Sequence, residues 1–249
     1  MKDKRELRGE LNTAEAASFL GVSEASVRRW GDGGLFPMER VGQRRQRRFR
    51  RADLAAFLEG GTRQGTRAAT LVAAIGRARV APGTHLATLF ESEAGRIRYA
   101  VPFLREGVAL GQPCFLVASG EILDGYLAAI KAGLEDELAE AVARGLFVTA
   151  PGPGPTVDAA LAFWEDRIVA AANTGPTIVR GVGDMACVAA SLPVQPMLTF
   201  EQLLSVLIRR LPAVLLCQYD VRAFDGPTVL AALKAHPDTF EVGLEKLIG

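Results

Sequence analysis

The sequence predicts an α/β protein in two parts: a small N-terminal winged helix-turn-helix, and a C-terminal mostly parallel sheet covered by helices on both faces. Three observations lead there. A tight helix–turn–helix pattern, LNTAEAASFLGVSEASVRRW, runs into a stretch in which six of the eight residues from Arg44 to Arg51 are arginine. Past residue 82, continuous apolar strands alternate with helical segments. The charge is also split: residues 1–67 hold 15 Lys/Arg against 9 Asp/Glu, and residues 68–249 hold 14 against 19. The boundaries read as a head over 8–60, a linker over 61–81 and a body over 82–249.

The head is justified element by element. Thr13 is placed to cap a helix running to Leu20, since its hydroxyl can accept from an orphan backbone N–H. Ala16, Ala17, Phe19 and Leu20 give that helix an apolar side. Gly21 and Val22 make the turn, where glycine tolerates a positive φ. Ser23 caps a second helix, SEASVRRW, with Val27 and Trp30 on one face and Ser26, Arg28 and Arg29 off it. Gly33 and Gly34 end that helix. Leu35, Phe36 and Val41 read as the apolar side of a β-wing with the arginines at its tip and return strand. Asp53–Leu58 closes the head.

In the body, Gly60–Arg67 reads as a flexible connector and Ala68–Arg79 as a short helix. The expected strands are HLATLF, PCFLVAS, LFVTA, TIVRGVG and AVLLCQYD, with TFEV as an edge strand. The intervening segments read as helices, the first bent or interrupted near Pro102. In the helix VDAALAFWEDRIVAAAN, Leu161, Trp164, Ile168 and Ala171 share one face. Ligands of such sheets sit beyond the carboxyl ends of the strands.

Several chemistries are excluded or weakened. None of the five lysines follows a glycine, so a phosphate-cradling GxxxxGK[ST] loop is absent, as is the nucleophile elbow GxSxG. Gly181 to Ala186 fits GxGxx[GA], but no acidic residue ends a following strand at the spacing a ribose needs, so the glycines read as permitting close backbone approach. Cys114, Cys187 and Cys217 lie far apart in apolar stretches; with two histidines and no CxxC pair, no zinc site and no cofactor are expected. No apolar run is long enough for a membrane span, and MKDKRELRGEL lacks a secretory core, so the expected location is the cytoplasm. Asp184 and Asp220, each after a strand, are either helix caps or a polar patch at the sheet's carboxyl edge. Charge alone leaves duplex DNA, RNA or anionic lipid open as partners of the head.

The head resembles the MerR-type winged helix-turn-helix, including its short excisionase-like and BldC-like variants, through Leu11–Thr13, Ala16–Ala17, Leu20–Ser23, Val27–Arg29 and Arg47–Leu54. Members of that class usually continue into a long dimerising helix; here Gly60, Gly61 and Gly65 interrupt the chain, so dimerisation falls to the body. The body resembles the MEDS domain, the sensory domain of methanogens and methylotrophs. The matching residues are His85, Phe90 and Glu91, Pro102–Leu104, Gly183–Met185, Cys217–Asp220 and His236–Pro237. That resemblance implies a degenerate RecA/KaiC-like α/β fold without a working nucleotide site, and Phe90-Glu91 departs from an aromatic pair common in the family.

Together these readings give a non-enzymatic, homodimeric transcriptional regulator of the repressor type, whose body takes a small, largely apolar effector. The expected DNA contacts are Ser23, Ser26, Arg28, Arg29, Arg40, Arg44, Arg45, Arg47 and Arg48. Arg28 and Arg29 are placed to read guanine edges. Arg44, Arg45 and Arg47 are placed on phosphates or in the minor groove, and Arg48 has Asp53 as an alternative partner. The ligand candidates are His85, Phe90, Glu91, Tyr99, Arg180, Asp184, Met185, Gln218, Tyr219 and Asp220, each with a core or capping role as its alternative. A nucleotide-gated body, or one that binds only a protein partner, stays open at this level.

Overall fold

The computed structural model describes residues 9–32, 34–58, 71–173, 177–243 and 247. The chain forms two compact units, Met1–Thr62 and Arg63–Gly249. The readings of Gly33 and of the Gly60–Arg67 connector lie outside the described residues.

In the first unit, β1 (Glu10–Leu11), α1 (Thr13–Leu20), α2 (Glu24–Asp32), β2 (Glu39–Val41), β3 (Gln46–Arg50) and α3 (Arg51–Leu58) follow in order. The strands form an antiparallel sheet, β1-β3-β2. The cap of α1 is Asn12, not Thr13. Its Oδ1 accepts from the Glu15 backbone N–H at 2.9 Å, and Glu15 Oε2 accepts from the Asn12 N–H at 2.7 Å. This reciprocal box satisfies two N–H groups, where Thr13 would satisfy one. Gly21 takes φ 69°, which ends α1 and turns the chain into α2. Ala16, Leu20, Val27, Trp30, Phe36, Phe49, Leu54 and Phe57 are buried. The ring centroids of Phe36 lie 5.6 Å from Phe49 and 5.2 Å from Phe57, both edge-on. Each such buried aromatic contributes roughly 1.5–3 kcal/mol. Val41, expected on the apolar side of the wing, is instead exposed; Phe49 of the return strand fills that role.

The second unit opens with a hairpin, β4 (Ala73–Ile75) and β5 (Ala78–Val80), turning at Gly76 with φ 57°. This replaces the helix expected over 68–79. Its inward residues Ala73, Ile75 and Val80 are buried. Then come β6 (Thr84–Phe90), α4 (Glu93–Ala109), β7 (Cys114–Val117), α5 (Gly120–Lys131), α6 (Glu135–Ala143), β8 (Phe147–Ala150), α7 (Val157–Ala172), β9 (Val179–Asp184), α8 (Met185–Ser191), α9 (Val194–Ile208), β10 (Ala213–Asp220), α10 (Gly226–Ala235) and α11 (Pro237–Val242). Helix α4 runs unbroken through Pro102. The segment TFEV lies in α11 rather than in an edge strand: Pro237, with its fixed φ, starts the helix.

The five strands pair in parallel in the order β6-β10-β9-β7-β8. All eight residues of β10 are buried, as a central strand covered on both faces requires. Side chains alternate across it. Leu216 and Gln218 face α4 and α5, whereas Leu215, Cys217 and Tyr219 face α7, α9 and α10. Gly181 explains the GxG pattern: a Cβ there would collide with Leu215 and with Trp164 of α7, so the glycine lets the indole lie on the sheet. Among the described residues, no helix is long and apolar enough to cross a membrane.

Candidate functional site

Helix α2 and the wing carry the head's exposed charge. Ser23 Oγ accepts from the Ser26 N–H at 3.2 Å and starts α2. Ser26 itself is buried beside Val27 and Trp30, so it is packing and not a groove contact. Arg28 and Arg29 are exposed, and Arg28 pairs with Glu24 one turn back. The β2–β3 turn is Gly42 to Arg45, with Arg44 and Arg45 both exposed. Arg40 and Arg47 are engaged inside the head. Arg40 Nη2 lies 2.9 Å from Asp32 Oδ1, and Arg47 Nη2 lies 2.6 Å from Asp32 Oδ2. The hydrogen bond from Arg47, with the charge of Arg40, holds the Asp32 carboxyl below its ordinary value. Arg48 donates to Gln46 Oε1 at 2.8 Å and to the Arg47 carbonyl at 3.0 Å, and lines one pocket with Asp53.

A second cluster lies at the carboxyl edge of the sheet. Arg96 of α4 is its centre. Nη1 meets Glu93 Oε2 at 2.8 Å, Nε meets Asp184 Oδ2 at 3.4 Å, and Nη2 meets Asp220 Oδ2 at 3.7 Å. The guanidinium lies 5.1 Å from the Phe90 ring centroid. Gln218 Nε2 donates to the Arg96 carbonyl at 3.0 Å and to Thr88 Oγ1 at 3.3 Å, while its Oε1 accepts a short bond from the Tyr126 hydroxyl. Asp184 proves to be both cap and patch: its Oδ1 receives the Ala186 and Cys187 N–H groups that open α8, and its Oδ2, like Arg96 Nε, is buried without a hydrogen bond. Burial raises the Asp184 carboxyl, whereas the Arg222 hydrogen bonds lower that of Asp220. Met185 is buried at the first turn of α8, and Glu91 is exposed beyond β6.

The remaining ligand candidates lie elsewhere, because strand direction and pleat separate them. Arg180 is the second residue of β9, at the opposite end of the sheet. It pairs with Glu106 at 2.7 Å, donates to the Phe103 carbonyl at 2.8 Å and to Gln112 Oε1 at 2.7 Å. That is a buried brace for α4. Tyr99 packs on the hairpin turn at Gly76. Tyr219 points away from Gln218, with its ring centroid 5.5 Å from Phe224 and 6.1 Å from His236.

His85, the second residue of β6, enters a third cluster on the Tyr219 face. One donor atom each from His85, Glu201, Cys217 and His236 lies within 4.8 Å of the others, and all four side chains are buried. Sequence reading missed this group because its members are scattered over β6, α9, β10 and the α10–α11 junction. The legible signal was Glu201, a carboxylate among Phe200, Leu203 and Leu204 on the buried side of α9. Arg96 was missed in the same way, as a cation inside a helix whose neighbouring turns are apolar.

Residues 84–237 match the MEDS family, the methanogen/methylotroph DcmR sensory domain, and residues 10–62 match a helix-turn-helix domain. The transcriptional repressor DcmR of Methylorubrum extorquens is 32% identical over 253 residues, covering 97% of this chain and 95% of that protein. Among solved structures, the flagellar accessory protein FlaH from Methanocaldococcus jannaschii is 10% identical, with a TM-score of 0.42 over 63% of this chain and 70% of its own. That likeness is too distant to carry an argument.

Proposed function

The chain belongs to the MEDS family, with a helix-turn-helix domain ahead of the sensory domain, and from that premise we propose that it is a transcriptional repressor released or tightened by a small organic effector. The head, residues 8–60, binds duplex DNA. Helix α2 enters the major groove with Arg28 and Arg29, and the wing sets Arg44 and Arg45 on the phosphates. The body, residues 82–249, takes the effector and carries the homodimer contact. The protein works in the cytoplasm, where the DNA is, and performs no catalysis.

One observation carries the effector reading. At the carboxyl edge of the sheet, where open α/β folds take ligands, Arg96 Nε and Asp184 Oδ2 are buried as an ion pair 3.4 Å apart, neither making an aligned hydrogen bond. Buried polar atoms in that state favour an incoming partner. Phe90, whose ring centroid lies 5.1 Å from the Arg96 guanidinium, and Met185, which follows Asp184, are buried apolar neighbours of this pair, and the ligand expected is small and largely apolar with one polar atom. The test is fluorescence anisotropy of the full chain on duplex DNA from upstream of its own gene, with and without small organic compounds. Tight, salt-sensitive binding that one compound class alters is the expected result. Equal binding with every compound, or none to DNA, rejects the reading.

A further inference from the structure

The hydrogen bonds around His85 and His236 fix where their protons sit. His236 Nδ1 lies 2.7 Å from the Ala232 carbonyl; a carbonyl only accepts, so Nδ1 carries the hydrogen. Ser205 Oγ lies 2.5 Å from the Ala235 carbonyl and spends its one hydroxyl proton there. It is therefore the acceptor for His85 Nδ1, 2.8 Å away. In neutral rings each Nε2 is then a bare lone pair. Those two lone pairs face each other at 3.1 Å.

The rest of the cluster deepens the conflict. Glu201 Oε2 lies 2.7 Å from His236 Nε2 and 3.6 Å from His85 Nε2, yet accepts no aligned hydrogen bond. Cys217 Sγ lies 3.1 Å from His85 Nε2 and 3.6 Å from Glu201 Oε1. The Cys217 thiol hydrogen and the hydroxyl of Tyr219, which also interacts with Glu201, are thus the donors on hand for two imidazole lone pairs and a carboxylate in a fully buried space. Such a set of acceptors is costly without a cation among them.

We propose that His85, Cys217, His236 and Glu201 form a closed site for one divalent transition-metal ion of the zinc class. Bonds of about 2.0–2.3 Å in a tetrahedron place ligand atoms roughly 3.3–3.6 Å apart; here five of the contacts run from 2.7 to 3.6 Å, and one donor atom from each of the four residues lies within 4.8 Å of the others. A thiolate, two imidazoles and a carboxylate suit a borderline-soft ion better than calcium or magnesium. Binding expels the thiol proton, and two anionic ligands then neutralise the dication, so the buried site carries no net charge. Each ring donates its other N–H to a fixed acceptor, the outer arrangement that orients metal-bound imidazoles. With four protein ligands and no exposed position, the ion is structural. It ties edge strand β6 and central strand β10 to α9 and to the α10–α11 junction.

The test uses the full chain, stripped with a strong chelator and titrated with cobalt(II). Uptake of about one cobalt per chain is expected, with the visible bands of a tetrahedral centre and a near-ultraviolet thiolate-to-cobalt charge-transfer band that zinc abolishes. Cys217→Ser should remove the charge-transfer band, while Cys114→Ser and Cys187→Ser keep it. Glu201→Gln, nearly isosteric and checked for fold by circular dichroism, should weaken cobalt binding at least tenfold. A chain that unfolds on stripping and refolds on adding zinc also supports the site. A stripped chain that stays folded and takes up no cobalt, or a charge-transfer band that survives Cys217→Ser, overturns it and leaves His85 and His236 sharing a proton.

Discussion

Arg47 grips Asp32 through two guanidinium nitrogens, Nη2 at 2.6 Å and Nε at 3.3 Å, and so ties the return strand of the wing to the end of α2. A residue expected on the phosphates is thereby committed to holding the DNA-reading elements together. The same carboxylate neutralises Arg40, so one exposed aspartate sets how much of the head's charge is free to meet an anion.

Asp32→Asn should therefore act in two directions. It releases Arg40 and Arg47 toward phosphate, raising affinity for all duplexes alike and steepening the salt dependence. It also removes a pH-dependent contribution to stability. The folded carboxyl sits below its ordinary value of 3.8, so the unfolded state binds more protons in that window and stability falls as the pH drops through it. Wild type should exceed the variant in stability above about pH 3.8 and converge with it below. Acid titrations followed by circular dichroism check this; a gap that widens on acidification contradicts the assignment.

The exposed wing tip gives a simpler expectation. If a dimer neutralises roughly three phosphates per head, log K against log salt should slope near −5. Arg44→Ala with Arg45→Ala should flatten that slope and weaken every sequence equally. Arg28→Ala or Arg29→Ala should instead relax base preference, at a cost of about 1–3 kcal/mol on the preferred site. Anisotropy at several salt concentrations, on matched and scrambled duplexes, separates the two behaviours.

The contact between Gly181 and Trp164 makes a prediction about the core. Because a Cβ at Gly181 would run into Leu215 and the indole, Gly181→Ala should destabilise the body by about 1–3 kcal/mol. Gly226→Ala, where a Cβ meets nothing within 4 Å, is the control. Urea unfolding of both variants reads the difference, and equal midpoints would show that the sheet yields to the methyl group.

These residues also mark how far the sequence could be read. The helix–turn–helix order, the basic wing and the succession of apolar strands were legible, because each is a local pattern of burial or turn chemistry. The hairpin Ala73–Val80 was not: strands of three residues, rich in alanine, carry no periodicity to tell them from a helix. Asn12 lost to Thr13 because a cap depends on one backbone angle. The candidate ligand residues were recognised individually but not grouped. Gln218 and Tyr219 are neighbours in sequence and sit on opposite faces of one strand, and His85 and Arg180 lie at strand starts rather than strand ends. Strand order and register decide such groupings, and neither is written in any single segment.

Arg96 offers a way to separate sensing from DNA binding. It is the cation between Asp184 and Asp220, and it belongs to the body. Arg96→Gln should leave operator affinity in the absence of effector unchanged. The effector's shift of that affinity, of the order of 5–150-fold in coupled systems, should collapse toward none. Arg180→Met removes a buried brace instead and should lower thermal stability without abolishing the shift. If Arg96→Gln responds to effector as wild type does, the carboxyl edge is not where the ligand acts.

The dimer contact should lie in the body. A palindromic operator needs two heads at a fixed spacing, and an effector alters affinity only by binding the two arrangements unequally. The hairpin over 73–80 is fastened to α4: the Ala74 N–H donates to Glu106 Oε2 at 3.2 Å, and Gly76 turns against Tyr99. A body fragment should therefore start by residue 71 to keep these contacts. Sedimentation of residues 71–249 at micromolar concentration should show a dimer, as should the full chain. Residues 1–62 should sediment as a monomer and bind DNA weakly, with the shallower salt dependence of a single head. A monomeric body, or a tight dimer formed by the head alone, would place the contact in the other half of the chain.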